Sequence, residues 1–231
     1  MFETTRRDGV VRAHRERARW LSTAWDGGYV GADAAYNVSV PTGFDRTDLD
    51  AYREQRLADA DFAVGPTLLT GVEMSHARVA TSGPVTVVAT AGLSNPAVLP
   101  VVDSPERDED TDDTVPWRPG TVNLLVGVER ALDDGGLATL LATAVEAKAA
   151  TLSAVTDAPG TTSDAAVVGC VPSAERAEFA GSATDVGAAT RACVRDALLS
   201  SLDARYDDGI PRAADAEYGV VTDRQTDVRQ P

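Results

Sequence analysis

Three stretches leave this chain little choice of architecture. Residues 85–91, 121–128 and 165–171 are short, almost uninterrupted apolar runs bounded by turn residues. Runs of this length and composition read as strands covered on both faces rather than half-solvated ones. Two long stretches change period. Residues 137–155 keep an apolar stripe through Leu137, Leu140, Leu141, Ala144, Val145, Ala149 and Leu152, and residues 185–202 form the last helical pattern. A shorter helix is predicted over 49–60, with Asp48 as its cap. The expected fold class is α/β, of the α+β type: a single domain with a mixed, largely antiparallel sheet covered by helices.

Upstream, 20–24 and 29–40 read as β-type segments joined by Asp26-Gly27-Gly28, an N-terminal hairpin or meander. Residues 1–20 read only as polar, with irregularly spaced arginines. Further short extended segments fall at 67–72 and 77–80, with Ser82-Gly83-Pro84 as a turn. With no internal repeat or linker, the domain is expected to run over 1–205, followed by a loosely held polar tail over 206–231.

Composition narrows the function classes. The formal net charge is −15, and Lys148 is the only lysine among 21 basic residues. Scarce lysine with dispersed carboxylates is the style of a salt-in halophile, where molar salt screens the repulsion of an acidic surface. No basic patch exists to neutralise phosphates, which excludes nucleic acid as a partner. The N-terminus lacks an apolar signal region and no run approaches a membrane span, so a cytoplasmic protein is expected. Cys170 and Cys193 sit in apolar settings and read as small buried hydrophobes. Histidine occurs only at 14 and 76, which excludes a zinc hydrolase built on several histidines. Glu73 and His76 read as a surface pair. The acidic stretch 103–116 alternates Asp108, Asp110 and Asp112, yet lacks the glycine and bidentate glutamate of a calcium loop, and it reads as a solvated insertion. No metal site and no cofactor are expected.

Chemistry then falls to polar loops at strand ends, where a rigid sheet can present them to a small molecule. TAGLSNP, residues 90–96, brings Ser94 and Asn95 after a buried strand, with Gly92 allowing close approach. Asn123 lies among apolar neighbours and must find partners. Thr161, Thr162, Ser163 and Asp164 put three hydroxyls beside a carboxylate at the entrance of a strand. Ser182 and Thr184 open the last helix, and either suits its cap. Glu146 and Lys148 share a helix but, two positions apart, point in different directions. Hydroxyls beside a carboxylate and a lone lysine suit amide hydrolysis, by an activated hydroxyl or a positioned water.

Taken in order, VPTGF, AYREQRLA, AVGPTLLTGVEM, TAGLSNP, PGTVNLLV, ATAVEAKAATL, TTSDAAVVGC and FAGSATDVG span about residues 24–200. This series resembles the adenosylcobinamide amidohydrolase family of archaeal cobinamide salvage. The resemblance implies cleavage of the amide joining the corrin f side chain to aminopropanol. Adenosylcobinamide would yield adenosylcobyric acid for coenzyme B12 synthesis, with cobalt arriving inside the corrinoid substrate. Residue chemistry then assigns Asp164, Ser163, Thr162, Glu146 and Lys148 to catalysis, Asp164 first, as activator of water or a hydroxyl. Ser94, Asn95, Asn123, Thr161, Ser182 and Thr184 are assigned to substrate binding, with Asn95 and Asn123 stabilising the oxyanion. Two other classes share these loops: a non-catalytic corrinoid-binding protein, and a hydrolase of another bulky amide.

Overall fold

The computed structural model describes residues 1–100 and 120–231. The acidic stretch, with Asp108, Asp110 and Asp112, lies outside the described residues. In chain order the elements are β1 (Glu3–Arg7), β2 (Val10–Ser22), β3 (Gly28–Ser39), α1 (Leu49–Asp59), β4 (Thr67–Thr70) and β5 (Arg78–Ser82). They continue with β6 (Val85–Ala91), β7 (Ala97–Val98), β8 (Val122–Val128), α2 (Asp134–Thr156), β9 (Ala165–Cys170), α3 (Asp185–Arg205) and β10 (Val220–Val221).

The main sheet runs β4-β3-β2-β9-β8-β6-β5, with β1 also paired to β2. Its β8–β9 and β3–β4 pairs are parallel and the others antiparallel, so the sheet is mixed and largely antiparallel. The three apolar runs form its centre as neighbours β6, β8 and β9. Every residue of β6 and β8 is buried, because helices cover one face and the sheet itself covers the other. On the helical side α2 and α3 lay Leu137, Leu140, Leu152, Val194, Leu198 and Leu202 against Val87, Leu124, Val126 and Val168. On the other side the sheet curls, so that Trp20 and Leu68 pack with Val88, Leu125 and Val167. Each fully buried Leu or Val there stabilises by about 1.5–3 kcal/mol relative to exposure.

The N-terminal twenty residues are strand, not irregular polar chain. Val11, Ala13, Ala18 and Trp20 bury one side of β2, while its arginines keep their heads outward. The guanidinium of Arg12 lies 4.7 Å from the Phe62 ring centroid. A register shift between His14 and Ala18, with Arg17 at φ 55°, breaks the alternation that would have announced the strand. Asp48 does stand at the start of α1, but its carboxylate accepts from Arg46 Nε at 2.8 Å and makes no cap bond. A charged donor two residues away outcompetes a backbone amide. Helix α2 is the one helix among the described residues long and apolar enough to cross a membrane by length and composition. Here it lies on the sheet, its Leu137, Leu140 and Leu152 in the core.

Candidate active site

Helix α2 and the loop entering β9 meet at one ion pair. Lys148 is buried, 9% exposed, and its ammonium bonds the Asp164 Oδ2 carboxylate oxygen. Helical geometry explains why Lys148 turns inward while Glu146 does not: two positions at about 100° each place them on opposite sides of the helix. Glu146 pairs with Arg191 at the protein surface, away from the loops.

Asp164 is held on all sides. Oδ2 also accepts from Thr161 N at 3.0 Å, and Oδ1 accepts from Val122 N at 2.9 Å and from the Thr161 hydroxyl. These four donors, Lys148 among them, fix the orientation of the carboxylate. The loop reaches this geometry through Gly160, where a Cβ would overlap both Asp164 Oδ2 and Lys148 Nζ. A side chain there would push the ends of Asp164 and Lys148 aside, so glycine lets the pair keep this geometry.

The TAGLSNP loop lies beside it. Asn95 Nδ2 donates to Thr162 Oγ1, Thr162 N donates to Asn95 O at 3.1 Å, and Ala97 N donates to Gly160 O at 2.9 Å. Gly120 makes room for this loop, since a Cβ there would crowd Ser94 N and Asn95 Oδ1. Gly92, read from the sequence as an opening for ligand, instead packs against Val72 and Gly120.

Asn123 is buried and belongs to a different network. Its Nδ2 donates to Asn37 Oδ1 at 2.9 Å and to Leu69 O at 3.0 Å, and Asn37 donates on to Thr90 Oγ1. Both amide hydrogens are therefore used, which leaves Asn123 no donor for an oxyanion. This chain of amides ties the curled strands β3 and β4 to β6 and β8. Ser182 and Thr184 are likewise elsewhere. Thr184 accepts from Gly187 N at 3.0 Å and caps α3, and Ser182 is exposed.

A cavity of about 700 Å³ opens where β4 ends and β8 and β9 begin. Trp25, Phe44, Leu49, Leu68 and Leu69 line its apolar walls, and Thr70, Thr121, Ser163 and Asp164 form its polar end. Thr121 and Thr70 satisfy each other at 2.6 Å. Ser163 lines the cavity, and its buried Oγ has no hydrogen-bond partner within the protein. Among the described residues no three His, Cys, Asp or Glu side chains gather as metal ligands.

A model of the family described as adenosylcobinamide amidohydrolase matches residues 1–209. The chain belongs to that family. A protein of Halobacterium salinarum named adenosylcobinamide amidohydrolase is 51% identical over 235 residues, covering 100% of both chains. That relative comes from a halophilic archaeon, in keeping with the lysine-poor acidic composition. A crystal structure of a protein from Pyrococcus horikoshii OT3 shares a TM-score of 0.42 at 11% identity, over 87% of this chain and 78% of that one.

For a family member of this amidohydrolase type, the structure thus gathers Asp164, Lys148, Thr161, Thr162, Ser163 and Asn95, with Ser94 beside them. Glu146, Asn123, Ser182 and Thr184 stay outside. Residue types alone did not single out Gly160, Thr70, Thr121, Trp25 or Phe44. Gly160 carried a signal, standing one residue before the hydroxyl run. Trp25 and Phe44 carried none, because a lone aromatic beside a turn does not announce which cavity it will wall.

Proposed function

We propose that this chain hydrolyses the amide between the corrin f side chain and aminopropanol in adenosylcobinamide, releasing adenosylcobyric acid and aminopropanol. The family match and the full-length relative support the substrate. The observation that carries the site is Asp164, which lines one end of the cleft and is ion-paired to the buried Lys148 behind it. Apolar walls suit the hydrocarbon-rich body of a corrinoid, and the polar end suits its reacting side chain.

Amide hydrolysis needs a proton taken from the attacking group and a proton given to the departing amine. In this reading Asp164 takes the first, once the Thr161 hydroxyl turns away from Oδ1, and Lys148 gives the second. One proton then passes from Asp164 to Lys148 along the bond that joins them, and the pair is reset. Ser163 presents its unpartnered hydroxyl to the scissile amide, and Asn95 holds Thr162 and the loop around it. The chain's own groups supply this chemistry, and cobalt travels within the substrate.

The test is incubation of the purified protein with adenosylcobinamide in molar KCl, followed by mass analysis of the corrinoid. Formation of adenosylcobyric acid with free aminopropanol is expected. Cobinamide recovered bound and unchanged would move the chain to the binding class. Rapid quenching separates attack by Ser163, which leaves a corrinoid ester on the protein, from attack by water, which leaves none.

A further inference from the structure

The two loops that make the site are gripped from outside by the end of the chain. Past α3, Tyr206 Oη accepts from Leu93 N at 2.8 Å, inside TAGLSNP. Arg212 Nη1 donates to both oxygens of Asp157, each at 2.8 Å. Asp157 sits in the left-handed region, φ 66°, where α2 ends and the loop to Asp164 begins. Farther on, β10 pairs in parallel with β7: Val220 N donates to Pro96 O and Thr222 N to Val98 O, each at 2.9 Å. Gly219, at φ 135°, packs so closely that a Cβ would meet Pro96 O at 2.5 Å.

Residues 95–98 therefore form the middle of three extended segments. On one side lies the loop 160–162, on the other the terminal segment 220–222. The first side carries Asn95 to Thr162; the second holds no reacting group at all. We infer that residues 206–222 are a positioning segment for the reaction centre, fixing 93–98 against 157–164 so that Asn95, Thr162 and Asp164 stay in register. The inference rests on the assignment of Lys148–Asp164 as that centre. It reaches beyond the family match, which ends at residue 209, before Arg212 and β10.

Magnitudes favour positioning over stability. A two-residue strand adds little to a core this well buried, and only Tyr206 and Ile210 of the segment pack against that core, both at its edge and partly exposed. A displacement of about 1 Å at a reacting group, by contrast, costs roughly a hundredfold in rate. The segment also joins the two loops without entering the cleft, since none of its residues lines the cavity.

The test uses the full chain, a Val220→Pro variant that removes one donor to Pro96, and a chain ending at Asp208 that keeps Tyr206. Backbone hydrogen exchange and steady-state kinetics with adenosylcobinamide are measured on each. The inference expects faster exchange confined to 92–98 and 157–162, with 85–91 and 122–128 still protected. It also expects kcat lowered about tenfold to a hundredfold in the truncated chain, with a smaller change in KM and less of both in Val220→Pro. Unchanged exchange in the two loops overturns it. Exchange rising equally across the core strands also overturns it, because the segment would then be a general stabiliser. Should the full chain fail to turn over this substrate, the exchange pattern still decides the positioning role while the substrate reading falls.

Discussion

Two loops of this protein look alike as sequence and do different things. Residues 159–164, PGTTSD, and 180–185, AGSATD, each set glycine and hydroxyls ahead of an aspartate and a buried element. In the second, Thr184 accepts from Gly187 N and donates to Gly181 O, and the hydroxyl is spent on starting α3. In the first, the aspartate leads into a strand, and its carboxylate gathers Val122 N, Thr161 and Lys148. The element each loop leads into decides its role. A helix start consumes a hydroxyl for its own free N–H groups, whereas the carboxylate at the strand entrance joins the backbone amides of Thr161 and Val122 to the ammonium of Lys148.

That contrast can be broken by mutation. The largest effect is expected at the ion pair. Asp164→Asn keeps the shape and removes the charge, and kcat should fall about a hundredfold or more. Asp164→Ala, which strands the buried Lys148 ammonium, should also cost about 3–5 kcal/mol in denaturant unfolding. Retained activity in Asp164→Asn would remove the carboxylate from the chemistry. Next come the two glycines. Gly160→Ala drives a methyl into Asp164 and Lys148, while Gly187→Ala drives one into the Gly181 carbonyl. The first should depress kcat in folded protein. The second should lower the unfolding midpoint and leave kcat per folded molecule unchanged.

A smaller effect is expected at the cap. Thr184→Ala should cost about 1 kcal/mol of stability without altering kcat or KM. Ser182→Ala should stay within about 0.5 kcal/mol and leave KM for adenosylcobinamide alone. A KM increase there would bring the second loop back into the site. The last measurement is thiol labelling, for which Cys170 ends β9 and Cys193 lies within α3. Burial pushes both thiols above the usual range, so at pH 8 each carries less thiolate than a free cysteine. Both should label more slowly than in unfolded chain, and Gly187→Ala should speed Cys193 more than Cys170.

Much of the fold was legible because its signals are local. The uninterrupted runs at β6, β8 and β9 could bury both faces only in a covered sheet, and the α2 stripe could lie only on such a surface. β1 and most of β2 were hidden by arginines, whose aliphatic stems pack while their charges stay wet, and by the register shift after His14. In the site, Asp164 beside three hydroxyls was visible, as was the divergence of Glu146 from Lys148. Asn123 shows the other side. Its burial was readable, but its partners Asn37 and Leu69 lie 86 and 54 positions away, across a fold of the sheet. The terminal segment was likewise unreadable, because two valines after Gly219 in a polar tail say nothing of the loop that β10 will join.

Residue types and spacing by themselves determined that this chain builds a covered, mixed sheet, that its surface suits high salt, and that its one lysine stands two positions from Glu146 on a long helix. These follow from periodicity and charge, which act over a few residues. Only the tertiary structure decided that Lys148 meets Asp164, that glycine at 160 lets the pair keep its geometry, and that Ser163 faces a cleft walled by Trp25 and Phe44. Those facts depend on where separate elements come to rest against one another. Packing settles that over the whole chain at once.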